Sequence, residues 1–497
     1  MTDLPARATT GDHVAFHAAE RPDGVALVNR GRAISYAELC RDIGKFASAL
    51  REFGLPRGSA VAVGCDDFYL HWVLLLAFER LNVATASYHS GEGLADCGEL
   101  LAGADLVLSE EHFPLQGAAR HRSIAPAWVA DTLARSHDGG PIYADWAAGD
   151  PVRILRSSGT TGRPKRLVVT RGMNEPRIAG YAWQYQFTPQ SRYLLTLPFS
   201  AGPMYGAATA CLRAGGTVVT EPFEGGAGAA RAIARHGITH VMLQPIMLKR
   251  VLDDLPRDLV KPARLTIVTL GSALSDELSA RALEHLATEV TDVFGCNEVG
   301  GVSRRQATRR DKFSEVSPGV EVETIDESNR LVPRGEPGLL RIRTEAMVEG
   351  YLGEPEELTR RHFRNGWFYP GDRAILDGPR RLMVVGRGDE LLNIGGAKVR
   401  PDDLEALVMR HADVGDVGIC TFGNREGIEE VYVALAGVRH DHRELLARLE
   451  QAFMHQQLGS FRVVILQAIP RNAAGKIVRA ALKEMVAKAA GLNRRGE

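Results

Sequence analysis

The sequence predicts an α/β protein: a large N-terminal region of layered α/β subdomains with a β-barrel-like portion, then a small mobile C-terminal α+β domain. Through the first half, short runs rich in Val, Ile and Leu alternate with helix-like stretches, which favours mostly parallel sheets covered by helices. From about residue 316, apolar and polar residues alternate around turn signals, which indicates antiparallel strands. Glycine is dense near 387–390, and the residues beyond carry strands and helices of their own. We therefore place the domains at 1–387 and 388–497.

The strands of the first half are predicted from short apolar runs, which cover 59–65, 104–110, 216–222, 239–245 and 264–272. Ser35 and Glu38 have capping-box spacing ahead of a helix that ends at Gly54, and a helix over 229–237 also ends on glycine. In the C-terminal domain, strands are predicted at 416–423, 429–437 and 462–469, and helices at 402–411 and 442–456.

Composition excludes several classes of protein. The 497 residues are 45% apolar and 24% charged, close to the globular average, which argues against a disordered or fibrous chain. The net charge of −1 argues against a protein built to hold nucleic acid, which usually carries a strong basic excess. Six scattered cysteines without a Cys-x-x-Cys pair argue against a zinc site and against a disulfide framework.

The sequence also argues against secretion and membrane insertion. The first residues contain no apolar segment of the secretory type. The longest apolar run, 69–78, is about half the length that a membrane-spanning helix needs, so it predicts a buried helix. We expect a cytoplasmic protein with neither a membrane nor a nucleic-acid partner.

A glycine- and hydroxyl-rich loop at 157–165 has the chemistry to bind phosphate. Two glycines allow a tight turn that presents backbone N–H groups to an anion, and the hydroxyls can donate to phosphate oxygens. Lys165 is expected to add a mobile positive charge, whereas Pro164 excludes the helix that follows an ATPase P-loop. Composition alone leaves a solvated surface loop equally open. The loop reads Ser157, Ser158, Gly159, Thr160, Thr161, Gly162, Arg163, Pro164 and Lys165.

The string Ser-Gly-Thr-Thr-Gly-x-Pro-Lys resembles the signature of the acyl-adenylate-forming superfamily, which includes acyl-CoA synthetases, peptide-synthetase adenylation domains and luciferases. Further motifs of that family follow in the family's order, and the resemblance extends from about residue 12 to about 485. These motifs are Phe294-Gly295-Cys296-Asn297-Glu298, Tyr369-Pro370-Gly371-Asp372, Gly386-Arg387-Gly388-Asp389, and a lysine motif that begins at Pro470 and contains Lys476.

The resemblance implies an enzyme that uses ATP to convert a carboxylic acid into an acyl-adenylate, releasing pyrophosphate, and then forms a thioester with CoA. The implied cofactors are ATP and Mg²⁺, with CoA or the pantetheine arm of a carrier protein as acceptor. Because the two reactants are both anions, catalysis of this kind depends mainly on positioning and counter-charge.

The resemblance also assigns roles to residues of the large domain. The 157–165 loop would hold the outgoing phosphates, and Glu298 would ligate Mg²⁺, which suits a hard oxygen ligand. Asn297, which replaces the family's usual Thr, can still donate a hydrogen bond. Asp372 would accept hydrogen bonds from the ribose hydroxyls, and Arg387 would help to hold the ribose or the phosphates. Adenine would lie between Phe294-Gly295 and the turn formed by Gly271, Ser272 and Ala273.

In the small domain, the resemblance implies that Lys476 reaches the carboxylate and the α-phosphate. Asp389 would be the hinge about which this domain swings between the two half-reactions. After the swing, residues 393–399 would face the site. Their two adjacent glycines leave room for a thin pantetheine arm, which favours a thioester product over a free adenylate.

The pocket for the acid departs from the family pattern. Ser200 stands where many acyl-CoA synthetases have His, and Gly202 lies near the position of the Asp that holds the ammonium in amino-acid-activating relatives. An unpaired ammonium in a pocket is costly, so α-amino acids are expected to be poor substrates. The predicted wall suits an aryl or medium acyl acid and includes Ser200, Ala201, Gly202, Tyr205, Gln244 and Cys296.

Three alternatives remain open beside the acid–CoA ligase. The first is a stand-alone adenylation enzyme that loads a carrier protein. The second is an enzyme that activates an unusual oxyacid such as nitrite and passes it to an amine, as in diazo formation. This alternative stays open because Ser200 and Asn297 depart from the family pattern. The third is a nucleotide-binding protein that has lost catalysis. The retained Lys476, Glu298 and Asp372 argue against the third.

Overall fold

The computed structural model describes residues 8–115, 120–136, 146–157, 165–271, 274–307, 311–387, 392–394, 397–399, 401–412, 414–424, 428–438, 442–454, 461–470, 477 and 479–492. Within these ranges, none of the helices combines the length and the apolar character that crossing a bilayer requires.

Helices occur throughout the described chain. They are α1 (Thr10–Glu20), α2 (Tyr36–Arg51), α3 (Phe68–Arg80), α4 (Leu94–Ala102), α5 (Pro126–Ala134), α6 (Arg171–Tyr185), α7 (Gly202–Arg213), α8 (Gly225–Arg235), α9 (Pro245–Asp253), α10 (Asp276–His285), α11 (Glu356–His362), α12 (Pro401–His411), α13 (His442–Met454) and α14 (Arg479–Ala489).

The strands of the first half alternate with these helices, and those that follow α10 come in a nearly unbroken series. They are β1 (Val25–Asn29), β2 (Arg32–Ser35), β3 (Ala60–Gly64), β4 (Ala84–Tyr88), β5 (Leu106–Ser109), β6 (His121–Ser123), β7 (Pro151–Ser157), β8 (Lys165–Thr170), β9 (Arg192–Leu194), β10 (Thr217–Thr220), β11 (His240–Leu243), β12 (Thr266–Leu270), β13 (Glu289–Cys296), β14 (Gly300–Gln306), β15 (Ser314–Val316), β16 (Val320–Ile325), β17 (Pro337–Thr344), β18 (Phe363–Arg364), β19 (Trp367–Phe368), β20 (Asp372–Leu376), β21 (Arg381–Arg387), β22 (Leu392–Ile394), β23 (Ala397–Val399), β24 (Asp416–Gly423), β25 (Glu429–Ala436) and β26 (Phe461–Ile465).

Two sheets organise the large region. One has the order β6-β5-β3-β4-β7-β8 and is parallel except for its last pair. In the other, β1, β10, β9, β11, β12 and β13 are parallel neighbours. Helices connect these strands, as parallel pairing requires. The predicted α/β class and its mostly parallel sheets are therefore confirmed.

The antiparallel part continues the second sheet rather than standing apart from it. β14 turns back against β13, and β15, β21, β20 and β17 follow in antiparallel pairs. These strands correspond to the β-barrel-like portion that the alternating pattern predicts. They bring Asp372, at the start of β20, into register with Arg387 at the end of β21.

The C-terminal residues form an α+β unit. β24, β25 and β26 make a three-stranded sheet, and α12 and α13 contribute to the hydrophobic cluster that forms against it around Val433 and Leu449. The placing of the domain boundary at 387–388 stays a prediction. Asp389 and Lys476 lie outside the described residues.

The sequence signals for individual elements hold with small changes. The apolar run 69–78 is the buried helix α3, as predicted. Ser35 caps α2 by accepting a hydrogen bond from the Glu38 N–H at 3.1 Å. The Glu38 carboxylate, however, pairs with Arg32 instead of closing a capping box, because the β1–β2 hairpin brings that guanidinium close.

Candidate active site

A cavity of about 190 Å³ lies at the carboxyl ends of β12 and β13, the usual place for a ligand site in an α/β sheet. It joins residues that are far apart in the sequence. They are Ser157, Lys165, Tyr181, Gln184, Tyr185, Pro203, Leu270, Gly271, Val293, Gly295, Cys296, Asn297, Glu298, Gly300, Gly301, Tyr351, His362, Phe368 and Pro370.

The ends of the predicted phosphate loop meet at this cavity. β7 and β8 form an antiparallel hairpin in which Ser157 pairs with Lys165, and both residues line the cavity. The loop that joins them, 158–164, lies outside the described residues, so Ser158, Gly159, Thr160, Thr161 and Gly162 are not placed.

Lys165 is not the mobile surface charge that the sequence suggested. It is only 2% exposed, and its Nζ lies 4.5 Å from the centre of the Tyr351 ring. Lys165 is buried because it begins β8, and the next residue, Arg166, accepts a 2.8 Å backbone hydrogen bond from Leu352. Burial lowers the pKa of Lys165, and the nearby Glu298 carboxylate opposes that shift.

Glu298 lies in the same cavity and is 8% exposed. Its Oε1 accepts a hydrogen bond from the Tyr351 hydroxyl at 3.3 Å. Burial raises the pKa of Tyr351, and the Glu298 charge adds to that effect, so the phenol stays a neutral donor. The predicted metal ligand and the predicted phosphate-binding lysine are thus held by one tyrosine.

Arg177, on α6, holds the turn that carries Asn297 and Glu298. Its buried guanidinium donates to the carbonyl oxygens of Ala346, Asn297 and Glu298 at 2.9, 2.9 and 3.2 Å. The sequence analysis did not find this residue, since an arginine on a helix ordinarily indicates a solvated face.

Asn297 uses its side chain to join two elements of the site. Its Nδ2 donates to the Arg156 carbonyl oxygen at 2.8 Å, so the predicted donor is engaged with the end of β7. A Cβ built on Gly202, at the start of α7, would lie 2.7 Å from the Asn297 Oδ1. Glycine at 202 therefore lets α7 approach the turn.

The residues predicted to surround the nucleotide divide into three groups. Gly271, with a φ of +97°, and Gly295 line the cavity. Phe294 packs against the cluster of the antiparallel strands, and Asp372, 5% exposed, pairs in register with Arg387. Neither is among the lining residues, although Phe368 and Pro370, just before Asp372, are. Ser272 and Ala273 lie outside the described residues, as does the side chain of Arg387.

The predicted wall of the acid pocket is only partly brought to the cavity. Cys296 lines it, whereas Ser200, Ala201, Gly202, Tyr205 and Gln244 do not. Tyr205 lies in the core, with the Arg153 guanidinium 4.2 Å from its ring centre, because its side of α7 packs inward. Gln244 is the N-cap residue of α9.

Helix α6 supplies a wall that the sequence analysis missed: Tyr181, Gln184 and Tyr185. Their i, i+3 and i+4 spacing places them on one helix face, which was the available signal. His362, at the end of α11, also lines the cavity. One of its ring nitrogens lies 3.2 Å from the Tyr369 carbonyl oxygen, and burial lowers its pKa.

The charge of the cavity fits a nucleotide with a metal ion. Mg²⁺ in enzymes is commonly held by one or two carboxylates together with substrate phosphates, and Glu298 meets that need. Lys165 supplies a buried cation near it. Within the described ranges, a cluster of three side chains that could bind a metal by themselves occurs at Asp66, Glu110 and His112, which do not line this cavity.

Comparison with known proteins decides the family. A family model described as AMP-binding enzyme matches residues 14–352, more than half of the chain. The chain belongs to this family of AMP-binding enzymes. The resemblance to the acyl-adenylate-forming superfamily is confirmed, and so is the prediction of an enzyme of the acid-ligase type.

This AMP-binding enzyme resembles curated proteins and solved structures along nearly its whole length. It is 26% identical to 4-coumarate–CoA ligase-like 9 of Oryza sativa subsp. japonica, covering 97% of this chain and 93% of that one. It is 27% identical to the fatty acid–[acyl-carrier-protein] ligase ScoC of Streptomyces coeruleorubidus, covering 94% and 95%. The amide bond synthetase McbA of Marinactinospora thermotolerans has the same fold, with a TM-score of 0.77, 22% identity and coverage of 96% and 99%.

Proposed function

We propose that this enzyme activates an aryl or medium acyl carboxylic acid with ATP and Mg²⁺, and then transfers the acyl group to CoA as a thioester. The observation that carries the proposal is the shared cavity, in which Lys165, Ser157 and Glu298 meet a recess walled by aromatic and apolar side chains. One part suits phosphate and carboxylate charge, and the other suits the body of an organic acid.

The first half-reaction joins two anions, so it needs positive charge that water does not screen. The carboxylate oxygen attacks the α-phosphorus, and the bond to pyrophosphate breaks. Buried Lys165 acts as a fixed counter-charge at low local dielectric. Glu298 would hold Mg²⁺, which supplies further neutralisation of the phosphates. Tyr351 orients Glu298, and Arg177 holds the turn that presents it.

The C-terminal domain would complete the site in this proposal. Lys476 would approach the carboxylate and the α-phosphate, and Asp389 would be the hinge for the swing that admits the acceptor. The loop residues 158–164, with Ser272, Ala273, Asp372 and Arg387, would hold the nucleotide. The ligase names of the relatives in rice and Streptomyces support this assignment.

The acceptor is proposed as CoA, with a carrier protein as the second candidate because the Streptomyces relative is named a carrier-protein ligase. The test measures pyrophosphate release over a panel of acids, with and without CoA. Release that depends on CoA supports the first candidate. An adenylate that accumulates and moves only to a carrier's pantetheine supports the second. An adenylate passed only to amines, or activity with nitrite, supports the oxyacid alternative.

The variant Lys476→Ala tests whether the small domain takes part. Adenylation should fall strongly, whereas Lys483→Ala, an exposed lysine on α14, should leave it unchanged. Intact adenylation in Lys476→Ala would refute the two-domain mechanism. No pyrophosphate release by the wild type with any acid would instead favour a nucleotide-binding protein.

Ordinary α-amino acids are predicted to be poor substrates. Glu298, proposed for the metal, is the carboxylate among the described lining residues, and the space beside Gly202 is filled by Asn297. An α-ammonium would therefore lack a counter-ion. ATP–pyrophosphate exchange with the twenty amino acids should stay near background, and strong exchange with one of them would contradict this.

A further inference from the structure

Gln184 is a buried polar residue in the cavity whose amide has no hydrogen-bond partner within the described ranges. It lies on α6 and is 2% exposed. Neither its Oε1 nor its Nε2 is hydrogen-bonded to any residue that the structure describes. Leaving a buried polar group unpaired is costly, and most such groups in native proteins have a partner. An amide that lines a ligand cavity is therefore suited to be completed by the ligand.

The backbone opposite Gln184 is shaped to admit this amide. A Cβ built on Gly301, in β14, would lie 2.1 Å from the Nε2 of Gln184, so the glycine leaves this amide its present place. Gly301 pairs with Gly295 of β13, and both line the cavity. The amide is thus part of the wall made by α6 and the β13–β14 hairpin.

Gln184 shares its face of α6 with two aromatic residues. Tyr181 and Tyr185, on the same helix, line the cavity with it, together with Leu270 and Val293. Burial raises the pKa of Tyr181 to about 12, so its hydroxyl is neutral at physiological pH. The charged pair is held elsewhere in the cavity, by Tyr351. The carboxylate of the acid would react beside that pair, which leaves Gln184 to contact the body of the acid.

We propose that Gln184 selects acids that carry, in addition to the carboxylate, a hydrogen-bonding substituent such as a hydroxyl, amino or carboxamide group. The inference rests on the proposed acid-activating function and names its substrate class. The tyrosines, Leu270 and Val293 that line the cavity with Gln184 suit an acid whose body is an aromatic ring. The amide both donates and accepts, so it can pair with each of these substituents.

Discrimination between acids should be strong, because an acid that lacks the substituent leaves the Gln184 amide buried and unpaired. A site built to hydrogen-bond a substituent rejects the analogue that lacks it far better than an apolar pocket rejects an extra methylene. We expect kcat/KM for a hydroxyl-substituted acid to exceed that of its methyl isostere by at least about tenfold, given the cost of leaving a buried amide unpaired.

The experiment compares matched acids: benzoic and cinnamic acids with hydroxyl, amino or carboxamide at position 3 or 4, each against its methyl counterpart. Pyrophosphate release gives kcat/KM for the wild type, for Gln184→Met and for the control Gln190→Met, an exposed glutamine just beyond α6. In Gln184→Met the ratio of kcat/KM between polar and methyl acids should fall to about twofold or less. The value of kcat/KM should decrease for the polar acids and increase for the methyl acids. Gln190→Met should keep the wild-type preference.

The isosteric variant Gln184→Glu and a thermal-unfolding measurement separate selection from a structural role. Glutamate keeps the shape and accepts hydrogen bonds but cannot donate when ionised, so it should still favour the hydroxyl, amino and carboxamide acids, all of which can donate, over their methyl counterparts. Gln184→Met should unfold at the same or a higher temperature than the wild type, since it removes an unpaired buried group.

Equal kcat/KM for polar and methyl acids in the wild type would overturn the inference while leaving the proposed function intact. So would an unchanged preference in Gln184→Met, or a lower unfolding temperature with equal losses for both kinds of acid. No pyrophosphate release with any acid would overturn both the function and the inference.

Discussion

The burial of Lys165 determines how strongly its charge can act on a bound anion. The side chain is buried against Tyr351 and faces the Glu298 carboxylate without a direct ion pair among the described contacts. Burial lowers its pKa because the charged form has lost its water. An anionic phosphate that binds beside Lys165 would stabilise its protonated form, and the protonated form would in turn strengthen the binding of the phosphate.

Replacing Lys165 with Met should reduce kcat/KM for adenylation by about 10²- to 10³-fold, the usual cost of removing one preorganised donor to developing charge. Pyrophosphate release at saturating acid and varied ATP measures this kcat/KM. The exposed Lys488→Met is the control. Since the ammonium is the active form and its pKa is lowered, activity should fall on the alkaline side below the ordinary lysine value of 10.5. Full activity in Lys165→Met would remove this residue from the mechanism.

Glu298→Gln should weaken the response to Mg²⁺ while keeping the fold. Glutamine retains an oxygen that can accept the Tyr351 hydrogen bond but loses the negative charge that a hard divalent cation prefers. Titration of Mg²⁺ should show half-saturation raised by at least about tenfold, about 1.4 kcal/mol of binding. Glu357→Gln, on the exposed face of α11, should titrate as the wild type does. Identical titrations for Glu298→Gln would refute the metal assignment.

At the scale of elements, the β13–β14 hairpin depends on glycine for its close approach. A Cβ at Gly295 would lie 2.4 Å from the Gly300 carbonyl oxygen, and one at Gly301 would meet Gln184. Backbone atoms cannot yield as a flexible side chain can. The same closeness lets the strands present Cys296 and the Asn297–Glu298 turn at the cavity.

Gly295→Ala should therefore lower the free energy of unfolding by about 1–3 kcal/mol, the usual cost of overpacking a tight site. Urea unfolding measures it, and Gly423→Ala, where a Cβ would contact nothing within 4 Å, is the matched control. Adenylation should fall in Gly295→Ala as the turn shifts. Equal stability of the two variants would contradict the close packing of this hairpin.

The elements themselves differ in how well the sequence predicts them. The strands at 60–64 and 240–243 follow from short apolar runs, and α3 from its unbroken apolar stretch. Helix α6 carries two arginines, two tyrosines and a glutamine, whose environment the pattern leaves ambiguous. Their environment follows from packing against the neighbouring α7 and against β14, which is far along the chain, so the helix face that their spacing indicates could not by itself be assigned to the cavity.

At the scale of the whole molecule, buried histidines make stability depend on pH. Burial lowers the pKa of His71 and of His240 from 6.5 to about 4. His71 is held between the Cys65 carbonyl oxygen and the Ser87 hydroxyl, each at 3.0 Å. Between pH 4 and pH 6.5 the unfolded chain therefore binds more protons at these histidines than the folded chain does. Stability is therefore complete above pH 6.5 and decreases as the pH falls towards 4.

The free energy of unfolding should accordingly be lower at pH 5 than at pH 7, measured by urea unfolding. Asp292 acts in the opposite direction, because burial raises its pKa to about 6. His71→Asn should be less stable at pH 7 but should lose less between pH 7 and 5, and the exposed His285→Asn should behave as the wild type does. Equal pH slopes for His71→Asn and the wild type would contradict this account.

The sequence by itself determined the α/β class, the family and the residues that carry its motifs, because apolar periodicity and an unbroken signature are local properties of the chain. Only the tertiary structure decided which side chains share the cavity: that Lys165 is buried, that Arg177 holds the Glu298 turn, that Tyr205 belongs to the core, and that Gln184 and His362 line the site. The reason is physical. A side chain's burial and partners are set by contacts across more than a hundred residues of chain, and no local pattern records them.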